Sequence, residues 1–183
     1  MGFHLSLIGE VVVNQVELSE SEVLEITSSS PELSKFINWL DGLDLRPTLK
    51  ILEKKLLNLK INLEELSKFL GYTDDGYQRN VVKKTDNYEL VLICWKAGQR
   101  TPIHDHKGSD CAFLILEGIS TESIYREKEG ELMKIGIKRY VPGEVCAAEE
   151  SDIHKISNDE PKNLVNLHLY SPPLKGFNLY EEK

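Results

Sequence analysis

Four of the chain's five histidines, His104, His106, His154 and His168, lie in its second half. In Pro102-Ile103-His104-Asp105-His106 the two-residue period of an extended chain turns both imidazoles to one face. Asp105 then faces away, where it can orient a group behind the ligands. Two ring nitrogens on one face are two metal ligands already placed, whereas a single strand histidine is ordinarily a satisfied or solvated side chain. With His154 as a third, neutral imidazoles would make a facial set and leave about three positions open on a metal of six-coordinate preference. The common two-histidine, one-carboxylate oxygenase set would need Asp or Glu in place of His106 or His154, and neither is acidic. Without a carboxylate ligand a ferrous centre keeps its full charge and favours a soft anionic donor, such as a thiolate whose deprotonation the metal drives.

The elements that must hold these residues change character along the chain. Residues 1–75 carry seven basic and thirteen acidic side chains and show helical spacing. Leu33, Phe36, Ile37 and Leu40 recur at i, i+3, i+4 and i+7 behind Ser30 as N-cap and Pro31 in the first turn. Arg46-Pro47 opens a second stretch with Leu49, Leu52 and Leu56 on one stripe. Asn62 and Glu65 form a capping pair for a third, which carries Leu63, Leu66, Phe69 and Leu70 and stops at Gly71. His4 belongs to this first part and reads as a surface residue.

After Gly76 the helical period disappears. Short β-type runs take over at 79–83, 88–96, 112–117, 119–125, 132–140, 153–157 and 164–170, with turn residues in most gaps. Many short strands with close turns predict an antiparallel sandwich or barrel over 76–183, with the helices of 1–75 packed on it as one unit.

At 183 residues the chain has the length of one domain, and 40% hydrophobic residues argue against disorder. Its net charge of −8 disfavours nucleic acid and anionic membranes as partners. Cys94, Cys111 and Cys146 cannot all pair and have no C-x-x-C spacing, which suits a reducing cytoplasm. Cys94 and Cys146 read as small buried hydrophobes. The first fifteen residues hold no Lys or Arg, and the longest apolar run is Leu90–Trp95, so neither a leader nor a membrane span is expected. A cytoplasmic monomer is the expectation.

The spacing around the histidines has the form of two cupin motifs. Gly98, His104-x-His106, Cys111 and Gly118 follow the first, with Cys111 where many cupins have Glu, and Pro142-Gly143, His154 and Asn158 follow the second. Leu92-Ile93-Cys94-Trp95, the 102–106 run, Cys111, His154 and Leu167-His168-Leu169-Tyr170-Ser171-Pro172-Pro173 together resemble the cysteine dioxygenase family. These are cupin thiol dioxygenases with mononuclear non-haem iron. The resemblance runs from Tyr77 to Pro173, is general over the helical part and weak after Pro173. It implies a mainly β fold, a small cupin barrel carrying an N-terminal helical subdomain.

By that resemblance His104, His106 and His154 would bind one Fe2+. Arg79 stands where cysteine-specific members hold the substrate carboxylate, a fit for a forked guanidinium. Tyr77, two residues earlier on the same strand face, would support it. His168 and Tyr170, two apart, would both point into the barrel, with the Tyr170 hydroxyl near bound substrate and dioxygen and His168 bonded to it or to the carboxylate. Cys111 stands where many eukaryotic members join a cysteine to that tyrosine, so a Cys111–Tyr170 thioether is open to this chain. Ser171-Pro172 would match a cis peptide bond. Vertebrate-type members have Ser where this chain has Asn166, whose amide donors would affect which nitrogen of His168 is protonated. The implied reaction takes L-cysteine and O2 to cysteine sulfinic acid. Two other readings stay open: a dioxygenase of 3-mercaptopropionate or another small thiol, and a cupin that binds a ligand or uses zinc or nickel without oxygenase chemistry.

Overall fold

The structure, a computed structural model, describes residues 2–182. Strands begin before the helices do. Gly9, at φ 60°, turns the chain between β1 (Gly2–Ile8) and β2 (Val11–Glu17), an antiparallel hairpin rich in β-branched residues. Residues 2–17, expected within the helical part, are therefore sheet, and His4 is exposed on β1. The tight turn at Gly9 and the Val11–Val13 run favour a hairpin whatever the acidic balance of the wider segment.

β2 pairs in parallel with β3 (Gly76–Lys84). Parallel neighbours need a long crossover, and the helical segment is that crossover. It comprises α1 (Glu20–Ser29), opened by a Ser19–Glu22 capping box, α2 (Pro31–Asp41), α3 (Leu49–Leu57) and a 3-10 helix at Leu63–Phe69. Leu33, Phe36, Ile37 and Leu40 are all buried on α2, as their spacing predicts. The last element differs from the α-helix expected: it buries Leu66 and Phe69, three residues apart, which suits a three-residue turn. Gly76 has a steric reason as well, because a Cβ there would strike the Val12 carbonyl oxygen of the parallel neighbour.

The remaining strands are β4 (Glu89–Trp95), β5 (Ile103–His104), β6 (Asp110–Glu117), β7 (Ser120–Lys128), β8 (Glu131–Tyr140), β9 (Val145–Ala148), β10 (Ile153–Ser157), β11 (Leu164–Ser171) and β12 (Leu179–Tyr180). They form a seven-stranded sheet, ordered β1-β2-β3-β4-β11-β6-β9, and a five-stranded sheet, ordered β12-β5-β10-β7-β8. The two-residue β5 lies in the 102–106 run expected to be extended, whereas β9 and β12 are too short to show a period in sequence. Gly118, at φ 78°, ends β6 where a Cβ would strike the Asn163 carbonyl just before β11.

Alternation along the large sheet separates two cores. Leu90, Leu92 and Cys94 of β4 and Leu167 and Leu169 of β11 face outward and pack with Leu33, Leu52, Leu56 and Leu66 of the helices. Each leucine buried this way contributes about 1.5–3 kcal/mol. Val91, Ile93 and Trp95, one residue along, face inward with Phe113, Ile115, Cys146 and Ile156 between the sheets. That inner face carries the chemistry.

Candidate metal centre

β5 and β10 pair through a single register, His104 opposite His154, so backbone hydrogen bonding places two imidazoles side by side. His106 follows two residues after His104 and turns the same way. Its ring lies 5.1 Å from that of His104 and 4.8 Å from that of His154, centre to centre. One ring nitrogen from each of the three lies within 4.8 Å of the others.

The outer nitrogens are held from behind. His104 Nδ1 is 3.0 Å from the Pro102 carbonyl, and His154 Nδ1 is 2.9 Å from Glu122 Oε1, so both rings are fixed with Nε2 directed inward. Glu122 also accepts from the Tyr140 hydroxyl at 2.9 Å. Burial opposes an ionised Glu122, but the bonds from His154 and Tyr140 hold its pKa below the usual carboxylate value. Burial and the neighbouring imidazole of His154 push His104 down to about 3, and the same causes, with His104 added, push His106 well below 6.5. Both rings are therefore neutral, with lone pairs available.

His106 Nε2 and His154 Nε2 stand 3.3 Å apart. Nitrogens ~2.1 Å from one metal at roughly right to tetrahedral angles would stand ~3.0–3.4 Å from each other, so this pair has the spacing of two ligands. Three neutral imidazoles suit a first-row divalent metal, ferrous iron included.

Across the cavity stand the groups of the large sheet. Arg79 on β3 is buried beside Tyr170, whose ring centre is 5.5 Å from the guanidinium carbon and 5.7 Å from the His106 ring. Burial alone would depress the Arg79 pKa, but Tyr170, Glu89 and Tyr77 around it raise it, so the cation is secure. Tyr77 stacks on Trp95 at 4.3 Å. The Tyr170 hydroxyl is 3.3 Å from His168 Nδ1, and Cys111 Sγ is 3.8 Å from the same nitrogen. Cys111 is the direct cross-strand partner of Tyr170 in the β6–β11 register. Burial raises the pKa of both, keeping phenol and thiol protonated. His168 stacks face to face on Phe113 at 4.2 Å. The Ser171–Pro172 peptide is cis.

The eight residues expected to bind metal or substrate or to act on it, from Tyr77 to Tyr170, line one cavity, which encloses about 50 Å³ of water-sized space, whereas Asp105 and Asn166 do not. Ile8 from the β1 end and Leu174 and Phe177 from the C-terminal segment complete an apolar rim.

Three details depart from expectation. Asn166 does not bond to His168; its Oδ1 accepts from Trp95 Nε1 at 2.8 Å, because the indole on the adjacent strand is the nearer donor. Asp105 faces away from the three imidazoles as expected, but among the described residues it bonds to no group behind their rings. It accepts instead from the Asn178 backbone and side chain and from the Tyr180 hydroxyl, tying down the C-terminal segment. Glu122 and Glu89 belong to the site and were missed. An acid alternating into a barrel strand is the available signal, and at Glu122 the polar neighbours Ser120, Thr121 and Ser123 hide it.

A family model described as cysteine dioxygenase type I matches residues 48–183. The chain is 24% identical to cysteine dioxygenase type 1 of Danio rerio over 181 residues, which covers 93% of this chain and 85% of that protein. It is 26% identical to that of Homo sapiens over 160 residues, covering 76% of this chain and 80% of that one. Among solved structures, a Klebsiella pneumoniae protein with a double-stranded β-helix domain superposes with a TM-score of 0.51 at 20% identity, covering 64% of this chain and 95% of that chain. The fold is thus a mainly β cupin, or double-stranded β-helix, with helices added in the N-terminal half.

Proposed function

The chain belongs to the cysteine dioxygenase type I family, and from that premise we propose that it oxidises L-cysteine with dioxygen to cysteine sulfinic acid. The observation that carries the choice of substrate is the buried Arg79 guanidinium in the same cavity as three inward imidazoles. Such a cavity matches a small molecule bearing a thiol for the metal and a carboxylate for the arginine. The reaction balances as one thiol and one dioxygen giving one sulfinic acid, with both oxygens on sulfur and no further reductant.

His104, His106 and His154 would hold ferrous iron, which when bound supplies the Lewis acidity that ionises the thiol and the redox access to dioxygen. Arg79 holds the carboxylate, with the Tyr77 hydroxyl beside it. Tyr170, kept protonated, offers its hydroxyl to the reacting end of the substrate, and His168 Nδ1 fixes that hydroxyl. Ile8, Leu174 and Phe177 limit bulk water. Every group comes from one chain, so a monomer suffices, and a reducing cytoplasm suits both free thiol and ferrous metal.

The register supports a Cys111–Tyr170 thioether. Its formation removes one hydrogen from the thiol and one from the ring, with dioxygen as the two-electron acceptor. Part of the protein is then two hydrogens lighter after turnover, and Cys111→Ala, read by intact mass, removes that species.

The direct test is oxygen uptake by protein of measured iron content across a panel of small thiols. Uptake with L-cysteine, one dioxygen per sulfinate, is the expected result. Uptake only with 3-mercaptopropionate would replace the substrate, and uptake with no thiol would overturn the reading.

A further inference from the structure

Arg79 meets a carboxylate before any substrate arrives. Its Nη2 donates to Glu89 Oε1 at 3.1 Å, and the two side chains are only 11% and 3% exposed. Glu89 opens β4 directly opposite Tyr170 in the β4–β11 register, so it shares the inner face with the cavity groups. Its second oxygen, Oε2, has no hydrogen-bond partner among the described residues. Lys84 Nζ, on a half-exposed side chain, stands 3.7 Å from it, beyond hydrogen-bond reach. Oε2 has only that longer ion pair, so the buried carboxylate's charge rests chiefly on Arg79.

We propose that Glu89 is the specificity-determining partner of Arg79: it aims the guanidinium and, by cancelling part of its charge, sets how strongly the cavity demands a carboxylate on its thiol. The inference rests on the reading of Arg79 as carboxylate anchor. A guanidinium has five N–H donors in a planar fork; Glu89 and Tyr170 each take one, and the rest remain for the cavity. A substrate carboxylate then binds Arg79 against the repulsion of Glu89. A thiol without a carboxylate leaves Arg79 paired instead of stranded. Both effects narrow the difference between the two ligands, so the cavity tolerates a decarboxylated thiol better than a lone buried arginine would.

Glu89→Gln separates aim from charge, because its amide oxygen still accepts from Nη2. The reading is the ratio of affinities for L-cysteine and cysteamine, the same thiol and amine without the carboxylate, by calorimetry on metal-loaded protein under anaerobic conditions. The ratio should rise about tenfold over wild type, and KM for cysteine should fall while kcat stays within about threefold. Where Glu89→Gln folds, a ratio within about twofold of wild type, or a fall, overturns the proposal.

Where it does not fold, Lys84→Met decides. That half-exposed substitution leaves the Glu89 charge undivided on Arg79 and should lower the ratio about two- to threefold; no change or a rise overturns the proposal. Because the ratio is read without turnover, a protein that binds both thiols and oxidises neither contradicts the dioxygenase reading and still decides this one.

Discussion

The two faces of the seven-stranded sheet come from the same strands, one residue out of step, and they obey different rules. Outward, Leu90, Leu92, Leu167 and Leu169 lie under the helices and need no partners. Inward, Glu89, Arg79, Asn166, His168 and Tyr170 put charge, amide, imidazole and phenol into a buried space. Several of their atoms, including Glu89 Oε2, Asn166 Nδ2 and His168 Nε2, lack hydrogen-bond partners among the described residues. The contrast teaches that the outer face and its helices supply the stability that lets the inner face keep costly groups unsatisfied.

The comparison can be broken most severely at the metal ligands. His106→Ala should lower kcat by roughly a thousandfold or more while leaving the melting temperature of the metal-free protein almost unchanged, as measured by oxygen uptake and calorimetry. Leu52→Ala on α3, fully buried on the outer face, should do the reverse. It should cost about 2–5 kcal/mol in denaturant unfolding, with KM and kcat of the folded fraction unaltered.

Glu122→Gln should weaken metal binding roughly 10–100-fold, read by competition with a chelator. It also sharpens the acid side. Glu122 has its pKa lowered in the folded state, so its contribution is present above the ordinary unfolded-chain value of about 4.5 and lost as pH falls through the lower folded value. Wild type should therefore lose more stability than the variant on acidification below that point. The smallest effect belongs to Tyr180→Phe, which removes the hydroxyl bonded to Asp105 at 2.9 Å. It should cost about 1 kcal/mol and raise KM through the loosened segment that carries Phe177.

The sequence disclosed the site better than its surroundings. His104 and His106 are two apart, as are His168 and Tyr170, so strand alternation alone predicts which side chains share a face. Arg79 and Tyr77 follow the same rule. Glu89 obeys it too, facing inward in step with Val91, Ile93 and Trp95, but an acid at the start of an apolar strand looks like a solvated end. Asp105 shows the opposite failure. Its direction follows from alternation, but its partners lie 73 and 75 residues away and leave no local trace. In the helical segment α2 is legible because four buried residues repeat on one stripe, whereas α1 buries Ile26 alone and leaves no stripe to read. The β1–β2 hairpin was lost in a charge count that averaged it with the helices.

The central claim, that the inner face holds a thiol dioxygenase site, is tested most directly by turning over L-cysteine under heavy-isotope dioxygen and weighing the product. The account predicts cysteine sulfinic acid carrying two heavy oxygens from one dioxygen molecule. A product with one heavy oxygen or none, or cystine alone, would contradict it.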